Sequence, residues 1–259
     1  MRKPDSHKGE NGVVLVVGGS EEFIGAPFLA TRSVACLRTG PDLVILACPK
    51  KVAWAVNCHS PDLITMKLRG KYLKKSHKRK ILKLVKKADV VLLGPGLGQN
   101  KSTKELLRTL VKEIKKPKVI DADALKAVKI QDLNNAVFTP HQKEFEILLK
   151  NSGLNKNNYR RRLKNNIILL KGKIDKIISK DRVKNNHTGN EAMTVGGTGD
   201  ILSGLVAGYI SQGKSLFDAA YRAAYVNGKI GDRLREKLGY GLIANDFLRE
   251  IAKLNKKNR

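Results

Sequence analysis

Late in the chain, Gly196-Gly197-Thr198-Gly199-Asp200 runs directly into ILSGLVAGYI, an apolar stretch. Glycines let successive backbone N–H groups turn into one concavity, and the helix that follows adds the positive end of its dipole. Such a loop holds an anion, and phosphate is the usual one. Asp200 then stands at the helix N-terminus, where the dipole favours its ionised form. A carboxylate beside a phosphate cradle is a candidate base for a substrate hydroxyl. The competing role is an N-cap that follows a glycine turn.

Three further groupings offer polar atoms after apolar runs. Gly94-Pro95-Gly96-Leu97-Gly98 follows DVVLL, and its glycines permit either close approach to a ligand or a plain tight turn. Thr139-Pro140-His141 places one histidine after AVF, and a lone histidine serves local hydrogen bonding as readily as a ligand. Lys171-Gly172 after NIILL sets an ammonium where a nucleotide phosphate would lie, although lysine is abundant throughout this chain.

The elements that must position these residues alternate between strand and helix. GVVLVV (12–17), DLVILACP (42–49), ITMKL (64–68), DVVLL, KVI, AVF and NIILL read as strands. The stretch 27–40 reads as a helix, with Pro27 in its first turn and Gly40 past its end. Residues 71–87 read as one basic helix. STKELLRTLVKEIKK reads as a helix with Ser102 as N-cap and Glu105 completing a capping box. DKIIS and RVKNN, around Lys180-Asp181, form an expected hairpin, and from Thr198 onward the chain reads as helices. Continuous apolar strands alternating with helices predict a mostly parallel sheet covered on both faces, in one domain over residues 1–259. In such sheets ligands bind beyond the C-terminal strand ends, so Gly18-Gly19-Ser20, Gly94-Pro95-Gly96-Leu97-Gly98, Asp121-Ala122-Asp123, Thr139-Pro140-His141 and Lys171-Gly172 should share one rim.

Composition narrows the classes. Hydrophobic residues make up 41%, in keeping with a soluble globular chain. No apolar run approaches the roughly 18 residues that span a bilayer, and the polar start lacks a signal-peptide core, so a cytoplasmic protein is expected. Cys36, Cys48 and Cys58 show no CxxC pair and the five histidines no HExxH, which predicts neither a disulfide framework nor a protein-built metal site. Cys36 and Cys48 are expected as buried small hydrophobes. The net charge is +28, yet aromatic residues are only 5%, too few for base-stacking platforms. Incidental polyanion binding is expected, with no specific nucleic-acid partner.

Taken in order, GGS…GAP…GPGLG…DADAL…TPHxxEF…LLKG…TGNxAMTVGGTGDxLSG resembles the ADP/ATP-dependent NAD(P)H-hydrate dehydratases of the ribokinase-like superfamily. The resemblance runs from Val13 to Gly241-Leu242-Ile243-Ala244-Asn245-Asp246. It implies a three-layer α/β/α fold and a hydrated-nicotinamide site formed by Ala26, Gly98, His141 and Asp200. It implies nucleotide contacts from Lys171, Gly172, Lys173, Ile174 and Asp175, and from Gly197, Thr198 and Gly199. Asp200 matches the acidic residue of the phosphoryl-transfer centre. ADP or ATP with Mg2+ would serve as cosubstrate, NADHX and NADPHX as substrates. A homo-oligomer, and a separate epimerase for the R epimer, are expected with it. Glu191-Ala192 and Thr194-Val195 depart from the family's common Pro-Gly and Ala-Thr, and Asp175 stands near a common threonine, which leaves ADP and ATP both open. A small-molecule kinase of the same superfamily, acting on a vitamin precursor, is the alternative with the same Gly-Asp loop.

Overall fold

The computed structural model describes residues 5–33 and 40–257. Nine strands form one sheet: β1 (Val13–Val17), β2 (Leu43–Pro49), β3 (Ile64–Leu68), β4 (Val90–Leu93), β5 (Lys118–Ile120), β6 (Ala136–Phe138), β7 (Ile167–Leu170), β8 (Asp175–Ile178) and β9 (Val183–Asn186). Their spatial order is β3-β2-β1-β4-β5-β6-β7-β8-β9. Strands β1 to β7 are mutually parallel, and β8 and β9 join antiparallel as the expected hairpin.

The helices are α1 (Gly25–Arg32), α2 (Lys50–His59), α3 (Lys78–Val85), α4 (Lys101–Glu113), α5 (Gln142–Ser152), α6 (Thr198–Ser211), α7 (Leu216–Leu238) and α8 (Ala244–Lys257). Strand side chains alternate between two cores. Val14, Val16, Leu46, Leu92 and Leu169 meet α1, α2, α6, α7 and α8 on one face. Leu15, Val17, Val91, Leu93, Ile120 and Phe138 meet α3, α4 and α5 on the other. Both faces of the central strands are therefore dry, which is why those strands read as unbroken apolar runs. The three-layer architecture matches the expectation.

Several boundaries differ. The basic stretch 71–87 is not one helix: bends and a 3₁₀ turn at Lys75–His77 precede α3. The N-cap of α4 is Asn100, whose side chain accepts the Ser102 N–H at 3.0 Å, so Ser102 lies inside the first turn and the Ser102–Glu105 box does not form. The helix expected over 27–40 begins earlier, at Gly25, and is described to Arg32, with Ser33 as its cap. Cys48 is buried as expected and Cys58 is exposed, while Cys36 lies outside the described residues. Among the described residues, no helix is long and apolar enough to cross a membrane.

Candidate active site

The strand order changes direction between β1 and β4, and the crevice beyond their C-terminal ends is where an open α/β sheet binds ligands. Two glycine-containing segments line it. The Gly19 N–H after β1 donates to the Pro95 carbonyl after β4 at 2.8 Å. Gly94 has φ +135°, and a Cβ there would overlap the Asp121 carbonyl oxygen, so only glycine lets the chain after β5 cross this close. That crossing brings the Asp123 carboxylate to the Gly98 N–H, which donates to Oδ2 at 2.8 Å. Ala26, the second residue of α1, is half-buried beside Pro27, and Pro27 packs against both segments.

The ends of β5, β6 and β7 supply the charge. Asp121 is 2% exposed, and its Oδ1 accepts from Thr139 Oγ1 at 2.7 Å and from Lys171 Nζ at 3.3 Å. Lys171 Nζ also lies 3.9 Å from Glu144 Oε2. His141 caps α5: its Nδ1 accepts from the Lys143 N–H at 3.2 Å, and its own N–H donates to Glu144 at 3.0 Å. The Lys171 N–H donates to the Pro140 carbonyl at 2.9 Å, tying the end of β7 to the end of β6. Burial alone pulls the Lys171 pKa down, but Asp121, Glu144 and Asp200 together more than offset this, and the ammonium is held above its usual range.

Helix α6 completes the rim. Gly197 precedes it at φ +98°, packed so tightly that a Cβ would overlap the Leu29 side chain. At Gly199 a Cβ would lie 3.4 Å from Lys171 Nζ, so that ammonium reaches the first turn of α6. The first N–H groups of a helix have no intrahelical partner, and together with the dipole they favour an anion. Asp200 follows. Burial, then the charge of Asp121, pushes its carboxyl up to about 7, with Asp123 and Glu144 adding and Lys171 opposing. The sequence reading expected the helix dipole to favour ionisation; here burial and three neighbouring carboxylates outweigh it. A carboxyl poised near neutrality is suited to taking and giving a proton.

Gly98 is bonded to Asp123, His141 to Glu144 and Lys171 to Asp121, Lys171 reaches Gly199, and the charges of Asp121, Asp123, Glu144 and Lys171 act on Asp200. The remaining expected nucleotide residues divide. Gly172, Lys173 and Ile174 are exposed in the β7–β8 turn. The Asp175 carboxylate accepts from the Gly172 N–H at 3.1 Å and from Asn186 Nδ2 at 3.2 Å, so its oxygens shape the turn. The Thr198 hydroxyl lies 3.0 and 3.1 Å from the Met193 and Val195 carbonyls, bracing the loop. The sequence places Asp121, Asp123 and Thr139 on the expected rim without an individual role, and does not single out Glu144. The signal available was position: two carboxylates directly after β5, and a glutamate three residues after His141, the spacing of a reciprocal cap.

A family model described as NAD(P)H-hydrate dehydratase matches residues 14–253. The chain belongs to this family. It is 38% identical, over 98% of its length and 92% of the relative's, to the ADP-dependent (S)-NAD(P)H-hydrate dehydratase of Nitrosopumilus maritimus. It is 41% identical, over 95% of its length, to the bifunctional NAD(P)H-hydrate repair enzyme of Methanothermobacter thermautotrophicus. The chain spans about half the length of that bifunctional relative, 50%. Its fold superposes on a ribokinase-like superfamily protein from Enterococcus faecalis with TM-score 0.85 at 26% identity, covering 99% of this chain and 91% of that one. The architecture of this dehydratase-family chain is thus the ribokinase-like one.

Proposed function

We propose that this protein restores NADH and NADPH from the S epimers of their hydrates, NADHX and NADPHX, at the expense of ADP or ATP. The observation that carries the reading is the meeting of Lys171 with the first turn of α6 beside Asp200. In this reading Lys171 and the α6 N–H groups hold the terminal phosphate of the nucleotide, along the exposed turn from Gly172 to Ile174. The hydrated ring lies toward Gly98, Ala26 and His141. Asp200 takes the proton of the C6 hydroxyl, and the freed oxygen attacks the terminal phosphorus. The bond to the leaving AMP (or ADP) breaks. Phosphate then departs from C6 and a proton from C5, which restores the C5–C6 double bond of the dihydronicotinamide. Backbone donors fixed in advance at the phosphate stabilise charge as it develops there.

Mg2+ is consistent with the donor set. Asp121, Asp123, Glu144 and Asp200 offer carboxylate oxygens, the ligands of a hard cation. Among the described residues no three His, Cys, Asp or Glu side chains form a cage. The ion would therefore be held chiefly by nucleotide phosphate oxygens and water, with Glu144 or Asp200 as the protein's contribution. When bound, it spreads the negative charge of the transferring phosphoryl group. The R epimer would require an epimerase activity, and the enzyme would work in the cytoplasm with the cofactor pool it repairs.

The test is incubation with hydrated NADH or NADPH and either nucleotide, following the return of reduced-nicotinamide absorbance and the release of phosphate. A stable phosphorylated product without recovery of absorbance would replace this reading with a superfamily kinase. No turnover with either nucleotide would remove it.

A further inference from the structure

Ser20 stands at the end of the Gly18-Gly19-Ser20 segment, on the β1 side of the crevice. Its residue is 6% exposed, and its hydroxyl oxygen is buried with no hydrogen-bond partner among the described residues. The carboxylates of the site are accounted for: Asp121 by Thr139 and Lys171, Asp123 by the Gly98 N–H, Glu144 by the His141 N–H. The backbone of Ser20 is pinned as well. Its carbonyl accepts the Phe23 N–H at 3.1 Å, and the preceding Gly19 N–H is bonded to Pro95. The side chain is therefore aimed by a fixed turn.

What it faces is informative. A Cβ built on Gly98 would meet only one atom within 4 Å, and that atom is Ser20 Oγ at 3.8 Å. No other atom lies within 4 Å of that position, and the orphan hydroxyl lies buried just beneath it. A buried hydroxyl left without a partner is unfavourable, and native proteins seldom keep one without a use. A ligand's polar atom entering beside Gly98 would supply the missing bond.

We propose that Ser20 is a substrate-positioning contact whose hydroxyl hydrogen-bonds the carboxamide of the hydrated nicotinamide. The assignment rests on the function proposed above and deepens it. In that reading the C6 hydroxyl is engaged by Asp200. The carboxamide carbon, C3, is at the opposite corner of the same six-membered ring, so the carboxamide needs a partner on the other wall. A carboxamide both donates and accepts, as a serine hydroxyl does. Ser20 touches the substrate's recognition group and takes no part in moving a proton.

The experiment compares the parent with Ser20→Ala and Ser20→Cys, the latter close in size but a weak hydrogen-bond former. Thermal melts without ligand come first. Removing an unpartnered buried hydroxyl should leave the melting temperature unchanged or raised. With hydrated NADH as varied substrate at saturating ADP or ATP, KM should rise about three- to tenfold in both variants, the loss of one neutral hydrogen bond. The kcat should stay within about twofold, and the melt shift given by ADP should not change. Calorimetric titration of hydrated NADH into parent and variants reads the same loss without turnover. An unchanged KM and affinity in both variants overturns the proposal. So does a lowered melting temperature with kcat and KM both impaired, which is the mark of a structural serine. A parent that binds and turns over the hydrate while Ser20→Ala matches it removes this contact alone. A parent that neither binds nor turns over removes the functional reading with it.

Discussion

Replacing Asp200 by asparagine separates two consequences of placing a carboxylate in this cleft. Its carboxyl is raised from 3.8 to about 7, roughly three units, and each unit corresponds to about 1.4 kcal/mol of stability linkage. The ceiling is therefore about 4 kcal/mol. Asp200 is partly exposed at the rim, and solvent screening brings a realistic figure to about 2 kcal/mol. The sign follows from the direction of the shift. The folded state holds the proton more tightly than the unfolded chain between about pH 4 and about pH 7, so this group's contribution to stability falls as pH rises through that window. Asparagine has no such dependence. Asp200→Asn should melt close to the parent near pH 4 and about 4–8 °C above it at pH 8, taking about 2–4 °C per kcal/mol for a domain of this size. Turnover should move the other way, falling at least about a hundredfold as the base is lost. The parent's kcat/KM should climb with pH to a plateau above about 7, and the variant's residual activity should lack that limb. The assays are melts across pH with and without ADP, and hydrate repair by both proteins. A variant that folds, binds nucleotide and repairs at the parent's rate refutes the role of Asp200. A melting difference that does not change with pH refutes the buried-charge account.

Lys171→Met removes the ammonium that opposes the carboxylates, so the acid limb of the rate profile should shift to higher pH and nucleotide affinity should fall about tenfold or more; titration calorimetry and pH–rate curves check both. Lys118, 1% exposed, has its pKa pushed down to about 8, first by burial and then by Lys115. The unfolded chain therefore binds more protons between about pH 8 and pH 10.5, and the parent should gain stability across that range. Lys118→Met should be more stable than the parent at pH 7 by about 1–3 kcal/mol in urea denaturation and should lack the alkaline gain. Gly94→Ala should cost more than about 3 kcal/mol or prevent folding, because its Cβ meets backbone, whereas Gly153→Ala, at φ +62° with open space around it, should cost only about 1 kcal/mol by the same denaturation measure. Despite the +28 charge, DNA or RNA binding in filter assays should show no sequence preference and should fall steeply between about 50 and 200 mM salt.

The central strands were legible because they are buried on both sides, so nearly every residue from Val13 to Val17 or from Val90 to Leu93 had to be apolar. Gly196 to Asp200 was legible because a glycine run feeding an apolar helix has few other uses. Helix starts were harder. Asn100 and Ser102 are both good caps two residues apart, and tertiary context selects the first. Between residues 71 and 77 basic residues suit a helix as well as a solvated turn, so composition could not locate where α3 begins. The cleft's charge balance was hidden for a different reason. Asp121 and Lys171 are 50 residues apart and meet only once β5, β6 and β7 stand side by side. The ionisation of Asp200 depends on that meeting, and no local pattern around Asp200 encodes it.

The links across the rim also bear on how the protein endures heat. From β1 to β7 every neighbouring pair is parallel, so no pair is closed by a tight turn and each depends on a long crossover. The bonds from Gly98 to Asp123, Asp121 to Thr139 and Lys171 to Asp121 clip four strand tips together at one edge. A nucleotide seated on Lys171 and α6 would extend that clip to a helix from the far end of the chain. Occupancy at a hundred times the dissociation constant adds about 2.7 kcal/mol to the whole domain. The lifetime of such a protein in a hot or stressed cell would then follow the supply of whichever adenine nucleotide it binds.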